Sequence, residues 1–222
     1  MSAPQSAMVL AAGLGSRLAP LTDHCPKPLL EVGGRSLLAR ALDELAKTAV
    51  TQVVINLHHL GSQIEAYLEA QAPWPFSLTF SREPERLETA GGIIKALPAL
   101  TSPFYVLAGD VLCDLPLETL SLPPGATAQL AMVPNPLWHP AGDFCLDAAG
   151  RLNRTEGPRL TYSGTGLFSK AFFDGIDPGP RPLRPLFERA LDAGTLHGLR
   201  HDGLWDNVGT PETLAAARAR FP

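Results

Sequence analysis

Residues 7–22 read AMVLAAGLGSRLAPLT, and the interpretation of the whole chain starts from this stretch. Its first five residues are apolar, and Gly13 and Gly15 follow shortly after them. A short, wholly apolar run that ends in glycine is typical of a buried parallel strand followed by a loop. Glycines let the backbone approach a ligand and turn its N–H groups toward phosphate oxygens. The stretch therefore predicts an α/β fold with a candidate phosphate-binding loop after the first strand.

The rest of the first half alternates in the same way. Ser36 can cap the N-terminus of a helix that runs to about residue 48, because Leu37, Leu38, Ala41, Leu42 and Leu45 lie on one face of it. Further strands are predicted at 52–56, 77–80 and 104–108, and further helices at 61–70 and 89–97. Strands that alternate with helices indicate a right-handed, parallel α/β sheet.

The pattern changes after Asp110. Proline-rich turns at 123–125 and 134–136 separate shorter strands, which are predicted at 129–133, 143–147 and 160–167. Two helices, predicted at 183–193 and 211–220, end the chain. This half is more typical of α+β structure with antiparallel strands on the same sheet. Because no flexible linker separates the halves, we expect one domain over residues 1–222, with the change near residue 115.

Composition excludes several classes of function. The chain of 222 residues has 22 acidic and 18 basic side chains, a net charge of −4, so a nucleic-acid backbone is not an expected partner. The apolar run 7–12 is too short to span a bilayer, and residues 1–6 do not resemble a signal peptide. We therefore expect a cytoplasmic protein without a membrane partner, either a monomer or a small homo-oligomer.

The three cysteines suggest no metal or disulfide. Cys25, Cys113 and Cys145 are odd in number and widely spaced, and none belongs to a C-x-x-C pair. They are expected to be small, partly buried apolar side chains.

Two cations and a carboxylate give the early segments a possible chemistry. Arg17 lies inside the glycine loop, and Lys27 stands between two prolines that stiffen its segment. Arginine holds phosphate oxygens in a planar fork, whereas lysine supplies a compact charge. Asp110 follows Gly109 at the carboxyl end of an apolar strand, where ligands of open α/β sheets bind, and a carboxylate beside phosphates suits Mg²⁺. The alternatives are two surface cations and an aspartate that caps a helix.

Two further segments carry weaker signals. Residues 87–92 read LETAGG, and small residues at a helix start let a planar base or a ribose lie against the backbone. Thr89 could instead be only a helix N-cap. Residues 205–210 read WDNVGT and could add oxygen ligands for the same metal, or form only a turn before the last helix.

Taken together and in this order, these segments resemble the sugar-1-phosphate nucleotidyltransferases, whose pattern is G-x-G-[ST]-R-[LM]-x-P-L-T, a K-P pair, a Gly-Asp metal site and a late W-x-D-x-G-T. The resemblance covers essentially the whole chain. Within that family the chain is most similar to the bacterial N-acetylmuramate 1-phosphate uridylyltransferases of peptidoglycan recycling. The segments that carry this similarity are 54–56, 87–92, 95–98, 142–144 and 162–164.

The resemblance implies a fold and a set of roles. The fold would be a single-domain, Rossmann-like (GT-A-like), mixed and mainly parallel sheet flanked by helices, with a nucleotide-binding half (1–115) and a sugar-binding half (116–222). Arg17 would hold the leaving pyrophosphate and Lys27 the α-phosphate, and the reaction would be a direct in-line attack on UTP assisted by Mg²⁺. The remaining implied contacts are those to the nucleotide (Ala11, Ala12, Gly13, Gly15, Glu83, Leu87, Glu88, Gly109), to the sugar (Asp143, Glu156, Thr165) and to the metal (Asp110, Asn207, Asp206).

The sequence departs from the family pattern at two positions. Ala108 stands where an asparagine often precedes Gly-Asp, and Asn207 stands at the late metal position with Asp206 one residue early. Because successive residues of a strand point to opposite faces, Asp206 would point away from a metal bound by Asn207, and we expect weaker Mg²⁺ affinity.

Four alternative functions follow from the same residues. Mannose-1-phosphate guanylyltransferase or glucose-1-phosphate thymidylyltransferase would keep the chemistry and change the substrates. A non-catalytic nucleotide-sugar binding protein would fit the two departures. An NAD-dependent oxidoreductase is disfavoured, because Leu18 stands where its glycine fingerprint needs a third glycine and Glu31 is poorly placed for the ribose.

Overall fold

The computed structural model describes residues 3–221. Its strands are β1 (Ser6–Leu10), β2 (Glu31–Val32), β3 (Arg35–Ser36), β4 (Gln52–Leu57), β5 (Ser77–Arg82), β6 (Phe104–Ala108), β7 (Val111–Cys113), β8 (Ala128–Val133), β9 (Phe144–Leu146), β10 (Leu152–Asn153), β11 (Arg159–Phe168), β12 (Leu196–Arg200) and β13 (Trp205–Asn207). Its α-helices are α1 (Leu21–His24), α2 (Leu37–Leu45), α3 (Gly61–Ala70), α4 (Glu88–Ala96), α5 (Arg184–Asp192) and α6 (Pro211–Arg220).

One nine-stranded sheet includes strands from both halves of the chain. Its main path is β10-β9-β11-β6-β1-β4-β5, and β8 and β12 lie beyond β11. β5, β4, β1 and β6 are parallel to one another, whereas β11 runs antiparallel to both β6 and β8. The predicted fold class, a mixed and mainly parallel α/β sheet flanked by helices, is confirmed. The second half of the chain adds its strands to this sheet through the β11–β6 ladder.

Both faces of the parallel strands are buried. Along β1, Ala7 and Val9 contribute to one core cluster and Met8 to the other, as expected when successive side chains point to opposite faces. Apolar side chains of α2 and α3 cover the first face, and those of α4 and α5 cover the second. The strands are therefore apolar without alternation because helices cover both of their faces.

A third, smaller cluster fixes the parts that carry the candidate site. It joins Leu18 of the glycine loop to Leu112 of β7, Val208 just after β13, and Leu214 of α6, all of them buried. This packing explains how a loop near residue 17 and a segment near residue 207 lie side by side.

Most predicted elements agree with the structure within one or two residues at each end. The hydroxyl of Ser36 accepts a hydrogen bond of 3.0 Å from the backbone N–H of Ala39, which confirms the predicted helix cap. Two alternatives are wrong: α4 begins at Glu88 after Leu87, so Thr89 is not its N-cap, and Asp110 caps no helix because β7 follows it. No helix within the described part of the chain, residues 3–221, is long and apolar enough to cross a membrane.

Candidate active site

A cavity of about 280 Å³ lies where β1, β4 and β6 end. Parallel strands present their carboxyl ends at one edge of the sheet, so residues distant in sequence converge there. The lining combines the backbone after β1, the ends of β4 and β6, and side chains from three loops: Leu10, Ala11, Ala12, Gly13, Lys27, Pro28, Asn56, Glu83, Arg86, Glu88, Thr89, Ala108 and Asp110.

Lys27 and Asp110 form an ion pair in this cavity. Lys27 is buried within a short 3₁₀ turn that Pro26 precedes and Pro28 continues, and only about 10% of its side chain is exposed. Asp110 lies in the turn between β6 and β7, with about 30% of its side chain exposed. The structure thus brings together one of the two predicted catalytic cations and the predicted metal-binding carboxylate.

Two glycines allow the backbone to pack closely around this pair. Gly15 has a φ of +66°, and a methyl group on it would lie 2.8 Å from Cγ2 of Thr22 and 3.2 Å from Cβ of Lys27. The Thr22 hydroxyl donates a hydrogen bond of 2.9 Å to the Gly15 carbonyl, which closes the loop on itself. A methyl group on Gly109 would lie 2.8 Å from the Leu10 carbonyl oxygen. Larger residues at either position would push the loops apart.

Arg17 lies beside Asn207, and it does not line the cavity that holds Lys27. A methyl group on Gly209 would be 3.1 Å from Nη2 of Arg17 and 3.4 Å from Oδ1 of Asn207, so these two side chains face the same point. β13 pairs with β7 in the register Asn207 to Val111, and the Val208 N–H donates to the Asp110 carbonyl at 3.0 Å. Arg17 is exposed, so its guanidinium is accessible to an anion beside the segment whose backbone bonds to Asp110.

Asp206 is directed away from this group. Its carboxylate accepts a hydrogen bond of 2.7 Å from Arg220 of α6, on the opposite face of β13 from Asn207. Partial burial raises the pKa of the Asp206 carboxyl, and the Arg220 guanidinium opposes that rise. Asn207 is therefore the residue of this strand that lies near Asp110.

The donors near Asp110 fit a magnesium ion only if a substrate contributes. Within residues 3–221, no three His, Cys, Asp or Glu side chains are grouped closely enough to hold a metal ion. Mg²⁺ is commonly bound by one or two carboxylates together with phosphate oxygens and waters. One carboxylate and one amide oxygen, from Asp110 and Asn207, are compatible with that mode of binding.

On the other side of the cavity, Glu83 is almost fully buried. One carboxylate oxygen accepts a hydrogen bond of 2.8 Å from Nδ2 of Asn56, and the other accepts from the Leu87 N–H at 3.1 Å. Oδ1 of Asn56 in turn accepts from the Ala11 N–H at 2.8 Å. Three of the predicted nucleotide contacts, Ala11, Glu83 and Leu87, are thus joined by one buried network.

Glu88 lies at the exposed rim of the same wall. It has a φ of +61°, and its carboxylate pairs with Arg86 at 2.6 Å. An uncommon backbone conformation at the start of α4 therefore turns this segment along the cavity.

The three predicted sugar contacts do not converge. Asp143 accepts a hydrogen bond of 2.8 Å from the Tyr162 N–H and lies 3.3 Å from His139 and 3.7 Å from Arg184. Thr165 is buried and lines a separate cavity of about 130 Å³ beside Cys113, and Glu156 is exposed in a turn.

Three polar residues at the end of β4 were missed as site residues. Asn56 is part of the buried network. His58 contacts the backbone carbonyl of Glu83, which lines the cavity, and His59 contacts that of Thr22 in α1. The signal in the sequence is that three polar side chains occupy positions 56, 58 and 59, at the end of an apolar strand and just after it.

Comparison with known proteins supports one family. Residues 6–126 match the family model described as nucleotidyl transferase. The chain is 42% identical to the N-acetylmuramate alpha-1-phosphate uridylyltransferase of Neisseria meningitidis serogroup B over 96% of each protein. It is 35% identical to the protein of the same name from Caulobacter vibrioides, over 99% of this chain and 98% of the relative.

Among solved structures, the chain is similar to HddC from Yersinia pseudotuberculosis, which was crystallised with GMP-PN. The TM-score is 0.81 at 22% identity, over 98% of this chain and 100% of that one. At this identity the similarity supports the fold alone.

Proposed function

The chain belongs to the nucleotidyl transferase family, and from this premise we propose that it joins N-acetylmuramate 1-phosphate to UTP, giving the UDP-sugar and pyrophosphate. It is a sugar-1-phosphate nucleotidyltransferase, as the relatives that match it over almost their full length are named. The sugar and the base are our proposal, and so is a place in peptidoglycan recycling.

The observation that carries the proposal is the Lys27–Asp110 pair beside the glycine loop. A buried ammonium next to a carboxylate can hold a phosphate group and the cation that accompanies it. The cavity of about 280 Å³ continues from this pair toward Glu83, which leaves room for a ribose and a base.

The reaction needs no nucleophile from the protein. The phosphate of a sugar 1-phosphate has a second pKa of about 6, so its oxygen is already anionic at neutral pH. That oxygen forms a bond to the α-phosphorus of UTP as the bond to the bridging oxygen of the pyrophosphate breaks. Repulsion between the two anions is the main obstacle, and positioned positive charge removes it.

Lys27 and Arg17 supply this charge from two directions. The Lys27 ammonium lies inside the cavity, where it can neutralise the α-phosphate as the new bond forms. Arg17 lies outside that cavity, next to Asn207, where it can hold the departing pyrophosphate. Mg²⁺, held by Asp110 and Asn207 with phosphate oxygens, would screen negative charge on the phosphates.

The environment of Glu83 supports the choice of base. Both carboxylate oxygens accept hydrogen bonds from the protein, so the group is arranged as an acceptor. An acceptor suits a base whose ring presents an N–H, as uracil, thymine and guanine do and cytosine does not. The carboxylate can accept from the ring N–H of uracil, and the names of the relatives favour uracil among the bases.

A pyrophosphate-release assay with Mg²⁺, the four common nucleoside triphosphates and dTTP tests the proposal. N-acetylmuramate 1-phosphate, mannose 1-phosphate and glucose 1-phosphate serve as acceptors, and Lys27→Ala serves as the control with reduced activity. We expect the highest kcat/KM with UTP and N-acetylmuramate 1-phosphate. A preference for GTP with mannose 1-phosphate, or for dTTP with glucose 1-phosphate, would replace the proposed substrates. Tight UDP-sugar binding without turnover would identify a binding protein instead.

A further inference from the structure

Two consecutive histidines follow the buried end of β4; one contacts the segment after β5 and the other contacts α1. Nδ1 of His58 is 2.9 Å from the Glu83 carbonyl oxygen, and Nε2 of His59 is 2.9 Å from the Thr22 carbonyl oxygen. A carbonyl oxygen only accepts hydrogen bonds, so each of these ring nitrogens carries a proton and donates. The two imidazoles thus tie one strand end to two separate segments of the chain.

His58 acts on the wall of the cavity that Glu83 forms. The Glu83 side chain is held by Asn56 from the same strand, and His58 holds its backbone carbonyl. Main chain and side chain of Glu83 are therefore both fixed to β4. The carboxylate cannot shift along the cavity unless at least one of these bonds breaks.

His59 acts on α1, the helix that follows the glycine loop. Thr22, whose carbonyl accepts from His59, is buried and donates through its hydroxyl to the Gly15 carbonyl at 2.9 Å. Gly15 in turn packs against Thr22 and against Cβ of Lys27. Two hydrogen bonds in series thus connect β4 to the loop that contains Arg17 and packs against Lys27.

We propose that His58 and His59 are positioning residues that brace the two walls of the nucleotide cavity against β4. The inference rests on the proposed function, because it assigns to the walls the tasks of holding a base and a triphosphate. Neither imidazole lines the cavity, and each has a ring nitrogen engaged by a backbone carbonyl, so we assign them to positioning. Groups that stabilise a transition state work best when their supports hold them in place before the substrate arrives.

The test uses the different reach of asparagine and glutamine. The amide nitrogen of asparagine lies close to where Nδ1 of histidine would be, and that of glutamine lies close to where Nε2 would be. His58→Asn and His59→Gln therefore keep the donated hydrogen bond. His58→Gln and His59→Asn introduce the same kind of amide side chain, but its N–H donor lies in the wrong place. Gln63→Ala, at an exposed position of α3, controls for substitution next to this segment.

We expect the two walls to give different kinetic effects. His58→Ala and His58→Gln should raise the KM for UTP about tenfold with kcat nearly unchanged, because the base wall loses its support. His59→Ala and His59→Asn should lower kcat about tenfold, because the loop that contains Arg17 shifts. His58→Asn and His59→Gln should stay within about threefold of the unsubstituted enzyme. If the two histidines only stabilised the fold, their substitution would lower the fraction of enzyme molecules that is active and leave the KM for UTP unchanged.

Calorimetric measurement of the Kd for UTP on the same proteins separates this inference from the proposed function. If the unsubstituted chain turns over no sugar phosphate, the proposed function fails, and the Kd values of the His58 variants still test the brace. Equal kinetics and equal Kd for matched and misplaced donors would overturn the inference. If an alanine variant does not fold, the comparison between asparagine and glutamine at the same position decides.

Discussion

The ammonium of Lys27 and the carboxylate of Asp110 are in contact, although 83 positions of sequence separate them. Lys27 reaches the pair from a 3₁₀ turn stiffened by Pro28, and Asp110 reaches it from the end of β6. The sheet edge and the glycine loop therefore share one charged group. Changes to either residue are expected to affect the other.

Removing either positive charge should slow catalysis. Arg17→Ala and Lys27→Ala should each reduce kcat/KM by about ten- to thousandfold, by analogy with the loss of a donor that stabilises transition-state charge. Lys27→Ala leaves Asp110 without its cation, so its effect and that of Asp110→Ala should not add in the double variant. Steady-state kinetics measure these effects. The control is Arg35→Ala, which removes a surface cation paired with Asp43 and should keep full activity. If kcat/KM is unchanged in Arg17→Ala, Arg17 has no part in the mechanism.

The amide at position 207 should limit the affinity for Mg²⁺. Asn207→Asp adds a second carboxylate near Asp110, so the Mg²⁺ concentration for half-maximal activity should fall. Asp206→Asn is the matched control: it changes the neighbouring residue, which pairs with Arg220 on the other face of β13, and should leave that concentration unchanged. An identical Mg²⁺ titration for Asn207→Asp would show that this side chain does not ligate the metal.

Glycine at position 91 should be required in α4 in spite of helix propensity. In an ordinary helix interior, replacing glycine by alanine stabilises the helix by about 1 kcal/mol. A methyl group on Gly91 would lie 2.2 Å from the Gly179 carbonyl oxygen, which is backbone, so Gly91→Ala should instead lower the free energy of unfolding. Urea denaturation measures the sign, and Ala66→Gly at an exposed position of α3 calibrates the propensity effect. A stabilised Gly91→Ala protein would contradict the close approach of the two segments.

Stability should fall in mild acid because of His197. Burial lowers the pKa of the His197 imidazole, and Arg151 lowers it further, against the opposing effects of Asp147 and the Gly150 backbone. The unfolded chain, with an ordinary histidine pKa of about 6.5, then binds the proton more readily than the folded one. Stability from this group is complete above that pKa and declines as the pH falls below it.

The His197→Gln variant checks this assignment. The drop in Tm between about pH 7.5 and 5.5 should be smaller for His197→Gln than for the unsubstituted protein, because one group that gains a proton on unfolding is gone. His24→Gln, at an exposed position, controls for the loss of an imidazole. If both variants keep the full drop, another group is responsible.

The elements that the sequence predicted well are those whose hydrophobic pattern is complete over a short distance. β6 is wholly apolar, and α2 carries both its cap and its apolar face within ten residues. Six strands were not predicted: β2, β3, β7, β10, β12 and β13. β12 contains a histidine and a glycine, and β13 is only three residues long, Trp205–Asn207, so their strand conformation depends on the partners β8 and β7.

The same difference applies to the candidate site. Gly15, Arg17, Lys27 and Asp110 stand in motifs whose chemistry is visible in the residue types. The missed residues contribute through hydrogen bonds to distant segments: Asn56 bonds to Ala11 and Glu83, His58 to Glu83, and His59 to Thr22. No local sequence pattern encodes such pairings. The direction of Asp206 was expected from strand alternation, but its partner Arg220 lies 14 positions away in α6.

The ladder between β6 and β11 bears on how this protein could be re-engineered. The connection between β8 and β11, residues 134–158, starts and ends on strands that belong to the same sheet as the glycine loop. A chimaera that receives this connection from a relative with another acceptor would inherit fixed anchor points for both ends of the graft. The parallel strands that carry the cavity, β1, β4 and β6, would keep their pairing in such a chimaera.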